Sequence, residues 1–145
     1  MPQPEIRPSA DALVGKYWPL PPDRDSVPSA LGTAAELARF TNHAVLNSGA
    51  VAVPQTTDVQ DVAYRLYELA GRLPQLAQML SGRLAKISAT DPTLYAHTGD
   101  ASTHTAAAGA DFARAAALAE DLAAAFNSAF ETLAKVSHRD VSEQD

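Results

Sequence analysis

The sequence predicts an all-α protein, a three-helix bundle built on a long antiparallel helical hairpin and preceded by an extended, proline-rich N-terminal arm. Three observations carry that prediction. Alanine, the strongest helix former, supplies 30 of the 145 residues. Two long stretches hold an apolar 3-4 spacing through successive heptads. Seven of the ten prolines fall between Pro2 and Pro28, so the helix breakers are gathered at one end. Hydrophobic content of 46% supports a core, although aromatics are only 6%. Alanine buries little area, so such a core depends on close approach of helix backbones, with a few Leu and Phe residues supplying most of the burial.

Residues 1–30 read as the arm. The run Trp18-Pro19-Leu20-Pro21-Pro22 lacks backbone donors and biases its neighbours away from helix, giving an extended or polyproline-like path. Tyr17 and Trp18 are expected to pin it onto the helical body, or alternatively to present Trp18 to an aromatic groove on another protein. The helical body is expected over 31–138, with helices at about 33–47, 57–88 and 103–137. Thr33-Ala34-Ala35-Glu36 has the form of a capping box and opens the first helix. Asn47-Ser48-Gly49 supplies a left-handed stop.

Thr57-Asp58-Val59-Gln60 is a second capping box and opens the second helix. Its predicted seam is Val59, Val62, Leu66, Leu69, Leu73, Leu76 and Leu80, in strict 3-4 alternation, with Arg83 breaking the register before Ile87 resumes it. Pro74 cannot bond back to the Ala70 carbonyl, which predicts a kink or two shorter helices meeting there. Residues 89–104 read as a loop, rich in Ser and Thr and holding Asp91-Pro92 and Gly99-Asp100. The third helix carries its own seam of Phe112, Ala115, Ala119, Leu122, Phe126, Ala129, Leu133 and Val136. Residues 139–145 form a polar tail.

Each long helix would span about 45 Å at 1.5 Å per residue. The first is too short to cover both seams, so a homodimer that buries the remainder is expected.

Several function classes are disfavoured by composition. A net charge of -6 argues against sequence-independent nucleic-acid binding, which needs clustered Lys and Arg. The absence of cysteine removes disulfides, thiolate chemistry and Cys-ligated metal. No apolar run has the membrane-spanning length of about 20 residues, and the N-terminus lacks a basic and apolar leader, so the cytoplasm is the expected compartment. An alanine-rich, lysine-poor composition suggests a bacterial genome of high GC content.

The candidate contact residues lie mainly on the second helix. Arg65, Arg72 and Lys86 share one heptad position beside the seam, where charge selects partner and orientation. Asp111, Glu120, Asp121 and Glu131 of the third helix are their possible complements. Together with Arg83 these cations form a small basic strip. It suits an acidic protein partner or, as an alternative reading, nucleic acid, although no helix-turn-helix pattern accompanies it. Tyr64 and Tyr67 lie off the seam, as contact residues or as platforms for the arm.

Chemistry finds little support. His43, His97, His104 and His138 show none of the i,i+3 or i,i+4 pairing of bundle metal sites, so no metal or other cofactor is expected. There is no nucleophile elbow, phosphate loop or dinucleotide fingerprint. The stretch from Asn42 to Gly49 resembles the phosphoacceptor helix of histidine phosphotransfer domains over eight residues. That resemblance implies a phosphoacceptor role for His43, but Leu46 and Asn47 stand where a Lys-Gly pair usually follows such a histidine, leaving a phosphoryl group without its local cation. The leading expectation is therefore a non-catalytic interaction or assembly module: an adaptor, a regulatory subunit or a structural subunit. A nucleic-acid regulator and an enzyme using His43 are the alternatives.

Overall fold

The computed structural model describes residues 6–139. Residues 140–145 of the expected tail and the first five residues of the arm lie outside them. Among the described residues the fold is all-α, with four helices rather than three: α1 (Ala10–Tyr17), α2 (Ser26–Ala52), α3 (Thr56–Thr90) and α4 (Ala101–Leu133). The chain divides into two compact units, Met1–Ala52 and Val53–Asp145.

In the first unit the arm is not extended throughout. Between the prolines, the run from Ala10 to Tyr17 is free of breakers and forms α1, with the Ser9 hydroxyl accepting from the backbone N–H of Ala12. The following helix also starts earlier than its apparent capping box. Asp23 holds the turn before α2, its carboxylate accepting from the Ser26 hydroxyl and the Asp25 backbone. Pro28 falls in the first turn of α2, where backbone N–H groups have no intrahelical partner and proline costs little. Thr33 is thus interior, and its hydroxyl bonds back to the Ser29 carbonyl. Glu36 pairs instead with Arg39 at 2.8 Å. The expected stop at Asn47-Ser48-Gly49 becomes an interruption at Ser48, with φ -141° and ψ 31°, after which the helix runs on to Ala52.

The second unit is the α3–α4 pair. The N-cap of α3 is Gln55, and Asp58 returns to accept from the Gln55 backbone N–H at 2.9 Å, two residues before the capping box read from Thr57. α3 is a single helix with Pro74 buried inside it, so two shorter helices are not formed. Asp91 caps the turn after α3 through Thr93. Gly99 has φ +75°, a left-handed conformation that favours glycine, and a Cβ there would lie 3.0 Å from the His104 ring. Asp100 then caps α4 through the Thr103 backbone.

α3 and α4 run antiparallel. At one end the backbone N–H of Thr56 donates to His138 Nε2 at 3.1 Å, and Tyr64 lies 5.5 Å from the Phe130 ring. At the other, Ser81 donates to the Gly109 carbonyl at 3.2 Å and Thr105 to Ser88 at 3.0 Å. The core between them is alanine. Ala63, Ala70, Ala116, Ala119 and Ala123 are the buried hydrophobic residues, joined by Pro74.

Candidate functional site

The core residues show that the predicted seam of α3 has the right period and the wrong phase. The residues turned toward α4 include Ala63, Ala70, Pro74, Ala77, Ser81, Leu84 and Ser88, mostly small members of the series displaced by one residue from the leucine series. One residue is about 100° of helix rotation. The leucine series therefore lies on a flank of the contact. Leu69 stays 53% exposed, Val59 44% and Leu73 38%, while Val62, Leu66, Leu76 and Leu80 are half-buried.

A similar displacement affects half of the α4 seam. Phe112, Ala119, Phe126 and Leu133 face α3 as the pattern predicts, but their companions are Ala116, Ala123 and Phe130 instead of Ala115, Leu122 and Ala129. Val136 falls beyond the end of α4. Small residues occupy the buried part of the contact, where α3 and α4 approach most closely, and Phe112, Phe126, Phe130 and Leu133 lie half-buried along it.

Both displacements turn the unused residues to the same side. Two open clefts mark the opposite face: one lined by Gly71, Gln75, Gln78, Glu120 and Asn127 among others, the second by Ser81, Ser88, Ser102 and Thr105. Tyr67 also lines the first cleft, and alanines line much of both, so that face is mixed. Antiparallel helices rotated by one residue in the same sequence sense turn their flanks to one common face. The leucine series of α3 and the row Ala108, Ala115, Leu122 and Ala129 of α4 therefore share the other face, together with Leu118, 61% exposed. The second unit is a two-helix slab with a leucine-bearing, apolar side and a more polar side of glutamines, small residues, Tyr64 and Tyr67.

The residues singled out by sequence do not form one site. Arg65 donates to Glu68 at 2.7 Å on its own helix, and that bond strengthens the hold of the guanidinium on its proton. It also lies 5.6 Å from the centre of the Tyr64 ring. The ion pairs among the described residues, Glu36–Arg39, Arg65–Glu68 and Asp111–Arg114, are all i,i+3 within one helix. The expected pairing of Arg65 and its neighbours with the acids of α4 is not formed.

Arg72, Arg83 and Lys86 are exposed and spread along α3 with Arg65 over about 30 Å. Tyr64 and Tyr67 stand 6.2 Å apart on the polar side of the slab, partly exposed. In the first unit, Trp18 donates from Nε1 to the Ser29 hydroxyl at 3.1 Å, and lines an open cleft with Val14, Ala30, Ala34 and Leu37. It thereby fastens α1 to α2.

His43 is exposed on α2, with the Asn47 amide 3.0 Å from its Nδ1. The described residues hold no group of three or more His, Asp or Glu arranged to bind a metal ion, and none of the helices they form is long and apolar enough to cross a membrane. No protein-family model matches the chain, and it matches no curated protein and no solved structure.

Proposed function

We propose that the protein is a non-catalytic helix–helix interaction module, an adaptor or a structural or regulatory subunit, and that the apolar side of the α3–α4 slab is its contact surface. One observation carries this reading. Leu69 and Leu73 of the longest helix remain 53% and 38% exposed, while its buried residues are Ala63, Ala70 and Pro74. Fully burying a Leu or Val side chain contributes about 1.5–3 kcal/mol, several times what an alanine methyl contributes. Val59, Leu69 and Leu73 keep more than a third of their surface in solvent, so part of the burial available to this unit is still unrealised between α3 and α4. A continuous exposed apolar face rimmed by polar residues is the usual mark of a protein-contact surface.

The basic residues modulate such a contact as its rim. Arg72, Arg83 and Lys86 lie on or beside the leucine series, where charge steers approach and selects orientation more than it adds affinity. No specific observation favours a nucleic-acid role for this strip or a phosphotransfer role for His43 over the interaction reading.

The test is site-specific photo-crosslinking in living cells, with the photoreactive residue at Leu69 on the apolar side or at Gln78 on the polar side. The expected result is a discrete higher-mass adduct from position 69 and none from position 78. Adducts from neither position, equal adducts from both, or a crosslink confined to the single chain at position 69 would each refute the reading.

A further inference from the structure

Resting on that reading, we infer that the occupant of the apolar face is a second copy of this chain, related by a two-fold axis parallel to the helices so that each α3 lies over the partner's α4. Three features of the slab point to this arrangement.

The first is size. α3 and α4 overlap over about 45 Å, and two helices 8–10 Å apart present a face about 18 Å wide. That gives about 800 Å² per copy, the area each side of a stable protein–protein interface buries. The two apolar faces would then form the centre of an antiparallel four-helix bundle.

The second is shape. The face carries exposed leucines on both helices: Leu69 and Leu73 on the α3 side, and Leu118 and Leu122 on the α4 side between Ala115 and Ala129. A closed two-fold interface must be complementary to itself. An axis along the helices sets Leu69 and Leu73 of each copy against the exposed leucines on α4 of the other, so that the same apolar contact is made twice.

The third is charge. Arg83 is the one cation within the apolar series, at the position where the leucine register breaks. The contacts of Ser81 with Gly109 and of Ser88 with Thr105 fix the levels of α3 against α4. A two-fold axis along the helices preserves those levels between copies, so Arg83 of one copy stands within about one turn of Asp111 in the other. Asp111 lies on the outer rim of the same face, and only its Oδ1 is used by Arg114, at 2.9 Å. Its second oxygen is available to the partner's Arg83. The cation that interrupts the leucine series thus acquires a role, fixing the axis and the register of the pair.

The experiment is light scattering after size-exclusion chromatography at two protein concentrations, with helicity checked by circular dichroism for every variant. The full chain is expected at twice its 15.2 kDa. Leu69→Asp combined with Leu73→Asp should give the single-chain mass with helicity kept. Arg83→Asp and Asp111→Arg should each weaken the dimer about tenfold, and the double variant should return to within about twofold of the original, since it restores opposite charges across the interface.

A wild-type chain that is monomeric at both concentrations overturns the dimer. If the Leu69 crosslink then has the mass of a different protein, the interaction reading stands and only the identity of the occupant was wrong. If that crosslink is also absent, both fail. A dimer that survives the double leucine substitution uses another surface. A dimer in which the charge swap does not rescue has another axis.

Discussion

Two stripes run the length of α3 with the same 3-4 spacing, one residue apart, and they have opposite fates. The stripe of Ala63, Ala70, Pro74 and Ala77 is packed against α4, whereas that of Val62, Leu69, Leu73 and Leu76 lies along the flank of the contact. The stripe with less to bury is the one that is buried. Small side chains admit a second helix at close range, where backbone and methyl contacts accumulate, whereas a ridge of leucines holds a helix further away but offers more area to it. One helix therefore carries a close-packing face for its own chain and a high-area face left over for another.

The largest effect that would break this comparison is overpacking the small stripe. Ala70 is only 3% exposed, so Ala70→Leu must push α4 away or force a strained rotamer. It should cost about 3 kcal/mol, read as a lower urea midpoint with an unchanged slope. Leu69→Ala, one residue away, changes the side chain by the same three carbons yet should cost only about 1 kcal/mol in dilute protein, because Leu69 is half in solvent already. Its cost should grow with protein concentration, since only the wild type gains by association. Equal costs for the two substitutions would abolish the distinction between the stripes.

Pro74 sharpens the same comparison from within. It sits buried in the small stripe and leaves the Ala70 carbonyl without its usual intrahelical donor. Pro74→Ala restores that donor and improves helix propensity, against the loss of ring atoms packed toward α4. The expected balance is about 1 kcal/mol of stabilisation, measured by thermal unfolding. A loss of stability would mean that ring contact with α4 outweighs the helix defect.

What sequence made legible, and what it concealed, follows from the same pair of stripes. Period 3.6 identifies a helix whichever face is buried, and the two long helices were therefore plain from the spacing of Leu, Val, Phe and Ala. Phase is harder, because the inference that the largest side chains face the nearest helix assumes a core that seeks area. Here the core seeks proximity, and Ala63-Ala70-Ala77 at intervals of seven was the available signal. The start of α2 was hidden by Pro28, which reads as a breaker unless it is counted as first-turn. α1 was hidden among prolines that bound it without interrupting it. The cations Arg65, Arg72 and Lys86 share a heptad position, and only side-chain geometry shows that Arg65 is already taken by Glu68 on its own helix.

A finer measurement uses one substitution at two glycines. A Cβ added at Gly71, on the polar side of α3, meets nothing within 4 Å, whereas one added at Gly109, opposite the small stripe, lies 3.3 Å from the Ser81 hydroxyl. Both glycines are interior to helices, where alanine is better by about 1 kcal/mol. Gly71→Ala should gain that full amount. Gly109→Ala should gain less than half of it, because Ser81 must shift and weaken its bond to the Gly109 carbonyl. The difference in denaturation midpoints measures how little room the small stripe leaves, and identical gains would show that the helices are not in close contact there.

The smallest effect concerns the start of α4, which sets its register against that stripe. Asp100 accepts from the Ser102 hydroxyl and from the backbone and hydroxyl of Thr103, and these bonds hold its carboxyl below the ordinary value of 3.8. A carboxylate whose pKa is depressed on folding contributes stability that is fully present above the unfolded value and is lost as pH falls through the folded one. The contribution of Asp100 should therefore be constant at neutral pH and disappear below the ordinary carboxylate range. Asp100→Asn keeps a capping oxygen without the titration. Thermal melts of the two proteins should differ by a few degrees near neutrality and converge in acid. A difference that persisted undiminished in acid would mean that Asp100 acts through its shape alone. The charge at the head of α4 would then play no part in holding Thr105 against Ser88, where the small stripe ends.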